Sequence, residues 1–149
     1  MTSSSNAISP HGIHHVRLTV TDIARSKAFY VRLFGSDPAI DFSDQVDEPG
    51  AREDRARFYG GCVFSVGDQL LGLRPVAGSN DTFDSTRVGL DHVSFGVASV
   101  DDLHAAATTL DSAGVEHGTV DVLEDAGMAI LSFQDPDDIN VELVAPVSS

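Results

Sequence analysis

Three side chains in this sequence have the types to hold a metal ion, and they sit at related places: His15, His92 and Glu142. Two neutral imidazoles and one carboxylate are a sound ligand set for Fe(II), Mn(II), Zn(II) or Ni(II). Such a set leaves coordination positions open for substrate, water or oxygen. Taken singly, each residue has an ordinary structural role open to it. A strand histidine is commonly hydrogen-bonded within the fold, and Glu142 would serve as an exposed edge residue. What links the three is a repeat in the elements that carry them.

Stretch 13–20 alternates strictly, with Val16, Leu18 and Val20 on one face of a strand and His15, Arg17 and Thr19 on the other. Stretch 90–97 does the same, with Val93, Phe95 and Val97 against His92, Ser94 and Gly96. In the first half a strand over 12–20 leads to a helix over 23–34, capped by Thr21 or Asp22 and stopped by Gly35. A short strand over 39–42, an acidic loop to 57, and strands over 57–66 and 69–75 follow. The loop carboxylates lack Asp-x-Asp-x-Asp-Gly spacing, so they read as a solvated, mobile surface rather than a calcium site. In the second half Ser99 and Asp102 form a capping-box-like pair before a helix over 100–112 closed by Gly114. Strands over 115–123, 128–134 and 139–145 complete it, with Asp135-Pro136-Asp137-Asp138 as a tight turn and Glu142 on the last strand. Each half reads β-α-β-β-β. The expected organisation is a loose tail over 1–11 and one domain over 12–149, made of modules 12–77 and 89–146 joined by a linker over 78–88.

The 149 residues are 42% hydrophobic and 21% charged, which suits one compact domain with a sizeable core. The formal net charge of −14 argues against nucleic acid and anionic membrane surfaces as partners. It serves solubility, or it attracts a cationic small molecule. Cys62 is the only cysteine, so no intrachain disulfide can form, and it reads as a buried strand thiol. No apolar run approaches the roughly 20 residues of a membrane span. The first residues are polar with no apolar stretch behind them, unlike a signal peptide, and the default location is the cytoplasm.

Four segments carry a family resemblance: His15-Val-Arg-Leu-Thr-Val-Thr-Asp22, Ser26-Lys-Ala-Phe-Tyr30, Asp91-His92-Val93-Ser94-Phe95-Gly96-Val97, and Phe133-Gln-Asp-Pro-Asp-Asp-Ile-Asn-Val-Glu142-Leu143. Through them the sequence resembles the vicinal oxygen chelate superfamily of glyoxalases, extradiol dioxygenases, fosfomycin-resistance enzymes, methylmalonyl-CoA epimerases and bleomycin-resistance proteins. The resemblance implies an α+β fold in which duplicated βαβββ modules form a curled mixed-sheet cup around a metal. It implies a divalent metal ion (Fe, Mn, Zn or Ni) held by His15, His92 and Glu142. It also implies a small-molecule substrate that chelates the metal through adjacent oxygens, and a homodimer.

The departures narrow the reaction. Superposing Leu71-Gly72-Leu73 on Val141-Glu142-Leu143 puts Gly72 where glyoxalases carry a Glu and epimerases a Gln. Gln69, an odd number of residues away, points to the other face of a regular strand. Three protein ligands resemble the dioxygenase and fosfomycin-resistance branches, and glyoxalase- or epimerase-like lyase or isomerase chemistry ranks behind them. The binding-module alternative is a metal-free protein that sequesters a cationic antibiotic, as bleomycin-resistance proteins do. The family's usual Asp-Pro-Asp-Gly turn is Asp-Pro-Asp-Asp here, an expected local change at Asp138.

Further candidates for a catalytic role are Arg17, Tyr59 and His117. Arg17 lies about 7 Å along the strand from His15, where it holds either a substrate anion or an acidic side chain. Tyr59 and Arg57 open a strand at the core, rim or cup. His117 is a pocket acid or base, or a solvated loop residue. His104 falls on the polar side of its helix, and His14 points away from the His15 face if the strand is regular.

Overall fold

The computed structural model describes residues 7–147, so the first six residues of the expected tail lie outside the described part of the chain. The first half comprises β1 (His15–Thr19), α1 (Ile23–Phe34), β2 (Ile40–Asp41), β3 (Cys62–Val66) and β4 (Gln69–Arg74). The second comprises β5 (Val93–Gly96), α2 (Val100–Ser112), β6 (Asp121–Leu123), β7 (Met128–Gln134) and β8 (Asn140–Pro146). Each half forms one four-stranded sheet, in the orders β1-β4-β3-β2 and β5-β8-β7-β6. The first and last strands of each half run parallel, and the remaining pairs are antiparallel. Each half is thus a βαβββ module, and the two form the duplicated α+β arrangement expected from the sequence.

Both helices begin and end where their capping chemistry dictates. The Asp22 carboxylate accepts the Arg25 N–H at 3.2 Å, and Gly35 leaves α1 at φ 68°. Ser99 and Asp102 close a reciprocal capping box on α2. Each helix lies on the apolar face of its sheet. Leu18, Val20, Tyr30, Cys62, Phe64, Leu71 and Leu73 form the first core, and Leu103, Leu110, Leu131, Phe133, Val141 and Leu143 the second. Phe29, Leu33 and Phe95 pack against both cores, while Ile139 of the second half is buried in the first. The Tyr30 hydroxyl crosses between halves to donate to Asp135 at 2.8 Å.

Three expectations are corrected. The strand expected from 57 begins at Cys62, because Arg55–Gly60 coils into 3-10 turns with Phe58 at φ 48° and Tyr59 at φ 61°. A Cβ at Gly61 would lie 1.9 Å from the Leu73 carbonyl oxygen, so only glycine lets this strap close on β4. The acidic loop is not a loose surface. Ser43–Gln45 and Ala51–Glu53 form further 3-10 turns, Ala51 is buried, and Arg52 donates to the Pro75 carbonyl at 2.6 Å. The strand expected over 115–123 shrinks to Asp121–Leu123, with only an isolated bridge from His117 to Phe133 before it.

The helices take one side of each sheet; the other side of the first sheet is covered in part by Tyr59 of the 55–60 strap. His15, Arg17, Thr19, Gly72 and Arg74 share the open face of the first sheet. Ser94, Glu142, Ser132 and Gln134 share that of the second.

Candidate metal and substrate site

The second open face carries a preorganised pair. Glu142 stands opposite Ser94 in register, and the Ser94 hydroxyl donates to Glu142 Oε1 at 2.9 Å. His92 immediately precedes β5, and its Nε2 lies 4.0 Å from the same Glu142 oxygen. The other ring nitrogen, Nδ1, lies 2.7 Å from Asp91 Oδ1. With Nδ1 donating its hydrogen to the Asp91 carboxylate, the Nε2 lone pair on the Glu142 side is free. This is the arrangement that fixes the tautomer of a metal-binding histidine.

The first open face has the same framework with different chemistry. The β1–β4 register sets Arg17 opposite Gly72, as β5–β8 sets Ser94 opposite Glu142. Gly72 is therefore the structural counterpart of Glu142. His15 is exposed at the head of β1, and its Nδ1 lies 2.9 Å from His14 Nδ1. With the hydrogen on His15 Nδ1, its Nε2 is free to bind an ion. Beyond it, Arg17 and Arg74 both approach the Tyr59 ring, with guanidinium carbons 5.7 and 3.8 Å from the centroid.

Among the described residues no three His, Cys, Asp or Glu side chains come together to hold an ion. His92 and Glu142 are neighbours, and His15 stands on the other sheet.

The Glyoxalase/Bleomycin resistance protein/Dioxygenase superfamily model matches residues 12–143. The chain belongs to this superfamily. A glyoxylase/bleomycin resistance protein/dioxygenase domain from Frankia sp. EAN1pec is 27% identical, with a TM-score of 0.70 over 95% of this chain and 96% of that one. FosX, the fosfomycin resistance protein of Listeria monocytogenes, shares the fold at 15% identity and a TM-score of 0.68, covering 93% of this chain and 95% of its own. That FosX structure holds Mn(II) and 1S,2S-dihydroxypropylphosphonic acid. Lactoylglutathione lyase of Agrobacterium tumefaciens shares the fold at 19% identity and a TM-score of 0.63, covering 91% of this chain and 94% of its own. No curated protein matches the chain.

Superfamily members include metal enzymes, and the residues here can be tested against a metal. Two ligands about 2.1 Å from one ion lie about 3 to 4.2 Å apart, from adjacent to opposite positions. The His92–Glu142 separation of 4.0 Å is wider than the roughly 3 to 3.4 Å of adjacent or tetrahedral ligands, so the two side chains must close by under about 1 Å to share an ion. Both donors have an unshared lone pair, so the pair fits a divalent ion.

The remaining candidates fall elsewhere. His117 pairs with Phe133, a core-facing residue, so it lies on the helix side of its sheet. Its Nδ1 meets the Gly118 carbonyl at 2.6 Å and its Nε2 meets Asp111 at 2.7 Å. These two acceptors, the carbonyl foremost, hold its pKa above the usual histidine value. It ties a helix end to a sheet and does not face the open site. Arg57 is at the rim, paired with Asp54 at 2.7 Å. Cys62 is buried in the first core, and burial pushes its thiol up to about 12. Asp138 takes φ 63° where the family turn has glycine, and the turn survives. Asp135 Oδ1 accepts the N–H groups of Asp137 and Ile139 at 2.8 and 3.0 Å.

Sequence reasoning missed Asp91, Ser94 and Arg74. Asp91 was legible as the residue beside a candidate ligand. Ser94 and Arg74 needed the strand register.

Proposed function

We propose that the protein is a divalent-metal-dependent enzyme acting on a small molecule that chelates the ion through two adjacent oxygens. His15, His92 and Glu142 hold the ion. The observation that carries this reading is the His92–Glu142 pair, 4.0 Å apart, with the imidazole oriented by Asp91. When bound, the ion supplies Lewis-acid polarisation of substrate oxygens. Asp91 holds the His92 hydrogen on Nδ1, and Ser94 holds the Glu142 carboxylate against the sheet. Gly72 offers no fourth protein ligand, which favours dioxygenase-like or resistance-transferase-like chemistry over glyoxalase-like chemistry.

In this reading two copies pair, and the open face of the first sheet in one covers the open face of the second sheet in the other. His15 of one copy then completes the His92–Glu142 pair of its partner. Two observations support it: His15 and Arg17 are exposed in one chain, as is His92, and the donors are divided two and one between the sheets. We place the enzyme in the cytoplasm, where a lone thiol such as Cys62 stays reduced.

The test is metal content of the purified protein by elemental analysis, for wild type, His15→Ala and His92→Ala, followed by mixing of the two variants. Wild type should carry about one ion per chain and each variant almost none. Random re-pairing of the variants should restore about a quarter of the wild-type sites, because each mixed dimer regains one intact site. Metal-free wild type that takes up a cationic glycopeptide tightly would overturn the enzyme reading. Absence of recovery on mixing would overturn the shared site.

A further inference from the structure

We propose that Arg17 and Arg74, gathered on the Tyr59 ring, form a cradle for an oxyanion, so that the substrate carries a carboxylate or phosphonate group. This rests on the metal site proposed above and adds the chemical class of the molecule that enters it. The register sets Arg17 opposite Gly72 and Arg74 opposite Thr19, one step further along the same face as His15. Both arginines thus share a sheet face with a proposed metal ligand, Arg17 two residues along the strand from it and Arg74 opposite the residue four along.

Their pairing is what singles them out. The chain has 9 Lys and Arg against 23 Asp and Glu, yet only some of these cations pair with a carboxylate. Arg25, Lys27, Arg52 and Arg57 each have an acidic partner. Arg17, Arg32, Arg55, Arg74 and Arg87 have no carboxylate partner among the described residues, but of these only the Arg74 Nε–H is a buried donor that meets no acceptor. Arg17 and Arg74 instead share one aromatic ring, at 5.7 and 3.8 Å from its centroid. A ring quadrupole offsets part of the repulsion between two like charges, and an anion between the forks removes it. The planar guanidinium presents paired donors that match a carboxylate or phosphonate.

The backbone around the cradle is built to hold it. Phe58 and Tyr59 occupy the left-handed region, which side-chain-bearing residues adopt only when their surroundings enforce it. Enforcement is visible here. Asp54 accepts the Ala56 N–H, the Tyr59 N–H and the Arg57 side chain, and Phe58 stacks on Phe42 with centroids 5.9 Å apart. Arg17 lies over Gly72: a Cβ there would be in ordinary contact with Arg17 Cγ at 3.4 Å and Nε at 3.5 Å, so a longer side chain would meet the guanidinium. The residue that withholds a fourth metal ligand therefore seats a guanidinium in its place.

The test is calorimetric titration of the full-length, metal-stripped protein with benzoate, phenylphosphonate and the neutral isostere benzamide. Saturable binding of at least one anion, with none for benzamide, is expected. The tighter of the two names the substrate group. Arg17→Met and Arg74→Met should each weaken that anion about tenfold, the worth of one charge-assisted hydrogen bond, while metal content after reloading stays at the wild-type level. If Arg74→Met does not fold, the exposed Arg17→Met and Arg17→Lys carry the comparison. Equal affinity in wild type and variants, or equal binding of benzamide, overturns the cradle. So does an Arg17→Met protein that loses its dimer but keeps its anion affinity, since Arg17 is then a structural partner of the second copy. Metal at full occupancy without arginine-dependent anion binding sinks the cradle alone. Arginine-dependent anion binding in a protein that holds no metal sinks the metal site alone.

Discussion

The two halves of the molecule share one framework and differ at the position that matters most for chemistry. In both, the first strand pairs with the last in parallel, and the residue two beyond a histidine faces the centre of the last strand. In the second half that pair is Ser94 and Glu142, a hydroxyl supporting a carboxylate at 2.9 Å. In the first half it is Arg17 and Gly72, a guanidinium lying over an empty position. In the proposed reading, one framework presents a ligand pair on one sheet and a cationic cradle on the other. Duplication supplies equivalent positions, and the two halves differ in the side chains they place there.

The same contrast appears where each helix is tied to its sheet. In the first half Lys27 of α1 pairs with Asp41 of β2, and the Asp41 hydrogen bond holds the lysine pKa above its ordinary value. In the second half Asp111 of α2 pairs with His117. The first tie survives any physiological pH, whereas the second depends on a histidine charge.

Making the halves alike should break this division. Glu142→Gly copies the first half onto the second and removes the carboxylate ligand. Metal affinity, measured by competition with a chelator, should fall more than about 100-fold, beyond the loss typical of an outer-shell residue. Gly72→Glu makes the reverse change and places an acid against Arg17. Benzoate or phenylphosphonate affinity should drop about 30-fold, because a tethered carboxylate competes for the guanidinium. Retained anion affinity in this variant would show that the two faces are not specialised as described.

The junction between halves gives the next largest effect. Tyr30→Phe leaves the buried Asp135 without its hydroxyl donor. Burial already raises the Asp135 pKa, so the lost bond should cost about 1.5 kcal/mol in urea unfolding. Asp138→Gly should stabilise the protein by about 0.5–1 kcal/mol, since glycine takes the φ of 63° without strain. A rise in urea midpoint without change in slope is the expected signature.

The smallest effect distinguishes the two helix ties. His117 has a raised pKa in the folded state, so protonation favours folding. Its contribution is fully present below its unfolded value of about 6.5 and is lost as pH rises through the higher folded value. Unfolding midpoints measured from about pH 6 to about pH 9 should fall more steeply in wild type than in His117→Gln.

The repeat, both helices and the capping residues were legible in the sequence because they depend on local signals. Apolar residues at helical spacing, Asp22, Ser99 and the closing glycines act within a turn or two of themselves. The alternation in β1 and β5 placed His15 and Arg17, and His92 and Ser94, on their faces for the same reason. The equivalence of Gly72 and Glu142 was also readable, since it follows from matching strand ends. The strap at 55–60 was not. Its left-handed residues are held by Asp54, Phe42 and the close approach of Gly61 to Leu73, contacts that no local pattern encodes.

By itself, then, the sequence determined which side chains face out of each sheet, because strand alternation is a property of the backbone. Only the tertiary structure decided which of them meet. It set His92 beside Glu142 and kept His15 on a separate sheet. It also brought Arg17 and Arg74 to one ring, because those meetings depend on register, on the strap, and on space left by a missing side chain.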